Sequence, residues 1–374
     1  MARPSPRFAN WTVPRIKTLL WSIGGTTNGS KSELLARVGQ ELRTARIPGS
    51  SQGSPARILS IDMGIKNLAF CVCDVSLHET ANSGKDIEEL SRSKASLAVV
   101  DWKRIAAAAF AAIQPNGPEP TEAQQLLASS GNLHDLYSPA ALSRTAHHVI
   151  KSLLAYKPNV ILIERQRWRS GGGAAVQEWT LRVNTLEAMF WGILTSMKLQ
   201  SHSGSTEDNH ANSQEFPEVW GVFPARVAQF WAGAAPEKTV TGGRRKVEKK
   251  DKIAVVKRWV EEEQSMSPSS ASTSAQRTFD LSFSHEAKST LETFTSSQRR
   301  RSSRSRGSAP SEEAVTGDSA AGLTPDQRGK VDDLADCLLQ AAAWTQWEIN
   351  RHRVQSSEDD DAVLRLLEHS EVET

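Results

Sequence analysis

Three apolar segments follow one another between residues 57 and 102, and no helical pattern separates them. This succession predicts three consecutive strands that form a meander. Helical patterns then alternate with two short apolar runs, residues 158–164 and 219–223. The first of these runs has the uninterrupted apolar character of a buried strand in a parallel sheet. The order βββαβαβα, with further helices after it, predicts an α/β fold around a mixed five-stranded sheet flanked by helices.

Polar and charged segments surround this predicted core. Residues 1–60 hold nine Lys and Arg against two acids, whereas residues 354–374 hold seven acids and one Arg, so the net charge of +2 averages unlike segments. Residues 261–320 contain 17 Ser and no hydrophobic period, which indicates disorder. The predicted organisation is a helical module at residues 1–48, a core at 57–260 and 326–353, a disordered insertion at 263–325 and an acidic tail at 354–374.

Two kinds of structure are excluded by the composition. No apolar run approaches the ~18 residues that a membrane span needs, so no membrane segment is predicted. Three Cys cannot build a disulfide framework, and this usage is typical of a reducing compartment. Cys71 and Cys73 share one strand face, but no second Cys pair or His motif accompanies them, so a zinc site is not expected.

Carboxylates stand at the ends of two predicted strands and on the last predicted helix. Asp62 ends the first strand and Glu164 ends the fourth, so the two meet if those strands are neighbours. Spacings of four and three place Asp332 and Asp333 on one helix face with Asp336. Acids gathered in one pocket raise each other's pKa unless a cation is present. Mg²⁺ prefers such oxygen ligands, and two ions in one site can support phosphodiester hydrolysis.

Four segments around these acids resemble the motifs of a known family. They are IDMGIKNLA at residues 61–69, IERQRWRSG at 163–171, RVNTLE at 182–187 and KVDDLADCL at 330–338. In this order they resemble the fungal mitochondrial Holliday junction resolvases, which are the mitochondrial branch of the RuvC-like, RNase H-like nucleases. The resemblance covers roughly residues 57–260 and 326–350.

This resemblance implies a homodimer that binds four-way DNA junctions by shape and makes paired, Mg²⁺-dependent nicks in the mitochondrial matrix. Mn²⁺ is expected to be able to substitute, and two ions are expected in each active site. Asp62, Glu164 and Asp336 match the metal ligands of the family. The fourth ligand matches either Asp332 or Asp333. The sequence leaves both as catalytic candidates, and Asp333 is the one assigned to the metal site.

Basic and polar side chains next to these acids are candidates for DNA contact, because guanidinium groups bind phosphate with a fork geometry. Trp168 is a candidate for stacking on a base of an opened junction, although core packing explains it equally well. The helical spacing of residues 182–191 fits either the core or a dimer face. The DNA-contact candidates are Lys66, Asn67, Arg165, Gln166, Arg167, Trp168, Arg169, Lys330 and the basic run at residues 244–250.

Two short helices are predicted in the first 48 residues. The first spans residues 13–21, and the second begins after Ser30, where Glu33 completes a capping box. The pair resembles the SAP motif, a small DNA-binding module, and Lys31 would offer a cation and free N–H groups to phosphate. The absence of acids before Glu33 is also typical of a mitochondrial targeting sequence, so residues 1–10 are a candidate for one.

Two other classes of protein remain open at this point. The pattern Asp-x-Gly-x-x-Asn at residues 62–67 also opens actin-like ATPases and sugar kinases, but no second phosphate-binding loop follows it. The other alternative is a non-catalytic DNA scaffold on the same fold. Retention of all the carboxylates argues against a scaffold.

Overall fold

The computed structural model describes residues 6–47, 54–65, 68–77, 95–106, 137–166, 178–203, 216–233, 247–264, 277–292, 331–357, 359–361 and 363. Within these residues a mixed sheet has the spatial order β5-β4-β1-β2-β3-β6. The predicted α/β class is therefore confirmed. The strands are β1 (Ala56–Asp62), β2 (Leu68–Leu77), β3 (Ala95–Ile105), β4 (Val160–Glu164), β5 (Glu218–Val222) and β6 (Phe279–Phe283).

The pairing of the strands brings three carboxyl ends to one edge of the sheet. β1, β2 and β3 form the predicted antiparallel meander. β4 pairs parallel with β1, and β5 pairs parallel with β4, so the carboxyl ends of β1, β4 and β5 are neighbours. The apolar run of β4 is buried because helices cover both faces of the sheet.

The sheet has six strands rather than the five predicted, and the sixth lies inside the segment expected to be disordered. Phe279, Leu281 and Phe283 are buried, while the intervening Asp280 and Ser282 are exposed. This period of two is a strand pattern, but five residues in a Ser-rich context hide it. β6 pairs parallel with the free edge of β3, and residues 285–292 continue as a helical segment. The prediction of disorder is therefore wrong for residues 277–292.

Helices form a layer on each face of the sheet. α3 and α4 cover one face, and α5, α6 and α7 cover the other. In the part of the chain that the structure describes, no helix combines the length and the apolar character needed to cross a membrane. The helices are α1 (Val13–Ser22), α2 (Lys31–Arg43), α3 (Pro139–Leu154), α4 (Glu178–Ser203), α5 (Pro224–Ala232), α6 (Lys249–Gln264) and α7 (Val331–Ser356).

The last helix, α7, is almost entirely buried against the sheet. Residues 341–343 are Ala, and these small side chains let the helix backbone lie close to β1 and β2. Two indole N–H groups fix its position, because Trp102 donates to the carbonyl of Leu334 and Trp231 donates to the carbonyl of Leu339, each at 2.9 Å. The beginning of α7 is thereby held at the edge where β1 and β4 end.

The N-terminal module is built as predicted and is joined to α7. Ser30 and Glu33 form the expected capping box at the start of α2. Glu348 of α7 is fully buried and accepts hydrogen bonds from the backbone N–H of Arg46 at 3.1 Å and from the Arg351 guanidinium at 2.5 and 2.8 Å. Burial opposes ionisation of Glu348, but the hydrogen bonds from Arg351 and His352 outweigh burial and lower its pKa to about 2.

Residues just before α1 belong to this module as well. Phe8 is completely buried, and Arg7 donates to the carbonyls of Val354 at 2.8 Å and Ser357 at 2.5 Å. Arg7 also pairs with Asp360 at 2.8 Å. Residues 6–10, which were included in the candidate targeting segment, therefore lie within the folded part of the chain.

The depressed pKa of Glu348 predicts a pH-dependent attachment of the module. The group contributes stability above pH 4.5, its ordinary pKa, and loses it as the pH falls toward a folded-state pKa of about 2. For Glu348→Gln, urea unfolding should give a deficit of about 3 kcal/mol at pH 7 that shrinks below pH ~4.5. Glu218→Gln, which breaks an exposed pair with Lys198, is the control and should change stability by less than ~1 kcal/mol. A stability deficit of Glu348→Gln that does not change with pH would contradict the lowered pKa of Glu348.

Candidate active site

Asp62 and Glu164 lie side by side because their strands are parallel neighbours. The last paired positions of β1 and β4 are Ile61 and Ile163, so each acid follows directly at the same edge. Burial raises the pKa of Asp62 well above its ordinary value, and the charge and hydrogen bond of Glu164 raise it further. Burial also raises the pKa of Glu164. The two carboxyl groups therefore share a proton more readily than they carry two charges.

The beginning of α7 adds two more acids to this pair. The charges of Asp336 and Asp333 raise the pKa of Asp62 and of Glu164, which places both side chains within electrostatic range of the pair. Burial raises the pKa of Asp336 in turn. The structure thus brings together four of the five acids predicted for the site.

Asp332 has different surroundings. Its carboxylate pairs with Lys249 of α6. Burial raises the pKa of Asp332, but the hydrogen bond and charge of Lys249 outweigh burial, and the net pKa lies below the ordinary value. The charge of Asp332 acts on the third acid of the site, because it raises the pKa of Asp336. The helical spacing allowed either acid to join Asp336, and in the structure the charge of Asp333 raises the pKa of both Asp62 and Glu164.

Two cations that the sequence did not single out contact these acids. Lys252 of α6 donates to both carboxylate oxygens of Asp336 at 2.5 Å. Arg104, near the end of β3, lies 3.3 Å from Asp333, and its side chain is only 5% exposed. Lys252 lies three residues after Lys249, so the helical spacing of α6 offered a signal for it. Arg104 carried no such signal, because its position depends on the pairing of β3 with β2.

The donor set of this site fits a hard divalent cation. Within the described ranges, no three His, Cys, Asp or Glu side chains are already arranged as a ligand set. The four acids nevertheless oppose one another's ionisation, and a positive charge relieves that conflict. Lys252 places its ammonium on the oxygens of Asp336 and supplies such a charge. Carboxylate oxygens in this number are the ligands that Mg²⁺ and Mn²⁺ prefer.

A cleft of about 380 Å³ opens next to Glu164. Arg165 and Gln166 line it, as two of the predicted DNA contacts, and the backbone N–H of Gln166 donates to Glu187 at 3.0 Å. Trp179, which was not predicted as a site residue, also lines the cleft and is 40% exposed. Lys31 is exposed at the first residue of α2, outside this cleft. The predicted contacts Lys66, Asn67, Arg167, Trp168, Arg169 and Lys330 lie outside the described residues.

The fold and the placement of the acids define a class of protein. A mixed sheet begins with an antiparallel meander, and a parallel strand lies beside β1. Acids stand at the ends of these two interior strands, β1 and β4, and on the last helix. This arrangement defines the RNase H-like fold of the resolvase type.

The chain belongs to the family described as mitochondrial resolvase Ydc2 / RNA splicing MRS1, whose catalytic-domain model matches residues 58–354. This membership confirms the resemblance drawn from the four motifs. The mitochondrial cruciform cutting endonuclease 1 of Schizosaccharomyces pombe is 26% identical over 238 residues, which cover 64% of this chain and 71% of the relative.

Two solved structures are similar to this one. The yeast mitochondrial Holliday junction resolvase Ydc2 is 19% identical with a TM-score of 0.48, and the match covers 92% of this chain and 97% of that one. Thermus thermophilus RuvC is 14% identical with a TM-score of 0.26, and the match covers 54% of this chain and 78% of that one.

Asp62→Asn should stabilise the metal-free protein. The raised pKa means that ionised Asp62 opposes folding at neutral pH, and the neutral amide removes its repulsion from the other acids. Thermal unfolding in EDTA should show an increase in Tm of roughly 2–4 °C. Asp74→Asn is the control, because Asp74 accepts two hydrogen bonds from Arg57 at 2.7 and 2.8 Å, and its loss should lower Tm. Equal losses of Tm in both variants would refute the repulsion at the strand ends.

Proposed function

We propose that this protein is a structure-selective endonuclease that resolves four-way DNA junctions by paired, metal-dependent phosphodiester hydrolysis. The observation that carries the proposal is the partly buried pair of Asp62 and Glu164 with Asp336 and Asp333 beside it. Family membership and the junction-cutting activity in the name of the S. pombe relative support DNA junctions as the substrate. Those names also support action in mitochondria, and we place the protein in the matrix, in DNA recombination.

The proposed metal ligands are Asp62, Glu164, Asp333 and Asp336, with Mg²⁺ as the physiological ion, Mn²⁺ as a substitute and two ions per site. When bound, the ions supply a deprotonated water at neutral pH and charge stabilisation at the leaving oxygen. Asp333 is preferred over Asp332 because its charge raises the pKa of both Asp62 and Glu164.

The chain's own cations would bind and orient the substrate around this centre. Arg165 and Gln166 follow Glu164 directly and line the cleft, so a strand lying there would meet a guanidinium beside the acids. Lys31 lies exposed at the N-terminal end of α2, where a cation and free N–H groups favour phosphate. Contacts of this kind fix the position of DNA without reading its sequence.

A homodimer would supply the two active sites that paired nicks require, and α4 offers a surface for it. The exposed positions of α4 between residues 179 and 201 hold no charged side chain. Arg182 and Glu187 are turned toward contacts within the chain. The uncharged positions recur at alternating spacings of four and three, which is the seam pattern of packed helices. They are Leu181, Thr185, Ala188, Gly192, Thr195 and Leu199.

The carboxylates can be tested with one series of variants on a synthetic four-way junction in Mg²⁺. Asp62→Asn and Asp333→Asn should slow nicking by about 100-fold or more, because each removes a ligand of the cation. Both should still bind the junction in a gel-shift assay. Asp332→Asn is the matched control and should retain nicking within about tenfold, since that carboxylate pairs with Lys249.

Other outcomes of this series point to other functions. Undiminished nicking by Asp62→Asn would contradict the nuclease site. Wild-type protein that binds the junction but does not nick it in Mg²⁺ or Mn²⁺ would favour a nucleic-acid scaffold, and the family description includes RNA splicing. Binding of ATP measured by calorimetry would favour the actin-like ATPase or sugar kinase alternative.

Ala188→Arg tests the dimer surface. The buried guanidinium would prevent two copies of α4 from packing, so light scattering should give the mass of one chain instead of two. Ala254→Arg is the matched control, because Ala254 is exposed on α6, away from α4, and this variant should keep the wild-type mass. A dimer of Ala188→Arg, or a wild-type monomer at micromolar concentration, would refute this surface.

A further inference from the structure

The side chain of Arg165 lies across β5 in a space that only a glycine leaves open. A Cβ atom at Gly221 would approach Cδ of Arg165 to 2.9 Å and Cγ to 3.0 Å. The backbone of Arg165 is fixed as well, because its N–H donates to the carbonyl of Val222 at 2.8 Å. The course of this side chain is therefore set by the strand beside it.

The guanidinium at the end of this side chain rests on an aromatic ring. Cζ of Arg165 lies 4.6 Å from the centre of the Phe223 ring. Phe223 is 44% exposed, which is unusual for a large apolar side chain, and the next residue, Pro224, lines the cleft beside Glu164. Within the described residues, the acids of the site pair with Arg104, Lys249 and Lys252, and Arg165 is in no ion pair with a carboxylate.

The ring is held by a second arginine. Cζ of Arg226 lies 5.4 Å from the centre of the Phe223 ring, and Arg226 donates to the carbonyl of Gly24 at 2.6 Å. Gly24 lies in the turn between α1 and α2. Contacts therefore run from the N-terminal module through Arg226 and Phe223 to Arg165, next to Glu164.

We propose that Phe223 is a positioning residue that, with Gly221, holds the Arg165 guanidinium ready to bind a phosphodiester of the strand to be cut. This inference rests on the proposed nuclease function and adds a specific recognition element to it. A guanidinium can stack on a ring and still present its planar edge to two phosphate oxygens, whereas an ammonium has no such fork. Because the side chain is already held in place, binding loses less conformational entropy.

A double-mutant cycle on a fluorescently labelled four-way junction tests this role. Binding is measured by anisotropy in Ca²⁺ or EDTA over a range of salt concentrations. Phe223→Leu and Arg165→Ala should each weaken binding about tenfold and reduce the slope of log Kd against log salt by about one phosphate contact. In the Arg165→Ala background, Phe223→Leu should have no further effect, because the ring acts through the guanidinium.

Two more variants separate this role from a loss of folding. Gly221→Ala should weaken binding in the same direction, since it displaces the Arg165 stem without touching the ring. Phe279→Leu removes a ring from beneath Arg277 at the opposite edge of the sheet and should leave the salt slope unchanged.

Two results would overturn the proposal. One is that Phe223→Leu binds the junction with wild-type affinity. The other is that Phe223→Leu weakens binding equally in the wild-type and Arg165→Ala backgrounds. Wild-type protein that binds the junction without nicking it would refute the nuclease function. The double-mutant cycle would still test the role of Phe223, because it measures binding. Wild-type protein that binds neither junction nor duplex DNA would overturn both proposals.

Discussion

Two partly buried carboxyl groups, side by side at the ends of β1 and β4, impose the constraint that the rest of the site satisfies. Parallel pairing places Asp62 and Glu164 next to each other, and their removal from water raises the pKa of both groups. Asp336 and Asp333 of α7 add further repulsion, and each of them forms an ion pair with a cation. Lys252 pairs with Asp336, and Arg104 pairs with Asp333. A protein that only needed to fold would not gather charge in this way.

α7 connects this constraint to the N-terminal module. The beginning of the helix carries acids to the strand ends, and its far end accepts the module through Glu348 and Arg351. The indole groups of Trp102 and Trp231 hold the first part of α7, at Leu334 and Leu339. The N-terminal module and the acidic centre thus lie at opposite ends of one buried helix, α7.

Much of this architecture was accessible from the sequence, and the exceptions have physical reasons. Asp62 and Glu164 were found because acids at strand ends interrupt apolar runs, and periodicity found α7. β6 escaped notice because its five residues alternate too briefly within a polar context. Asp332 and Asp333 could not be separated by helical spacing, because the choice depends on how α7 crosses the sheet. Arg104, Gly221 and Phe223 depend on pairing between strands distant in sequence, which local patterns do not encode.

The burial of Phe8 and the bonds of Arg7 have a consequence for the maturation of the chain. A processing protease that cut after residue 10 would remove a completely buried ring and the bonds that Arg7 makes to the end of α7. The apolar cluster of the module would then open at the side where it meets Val354. Cleavage that preserves these contacts would have to leave Arg7 and Phe8 in the chain.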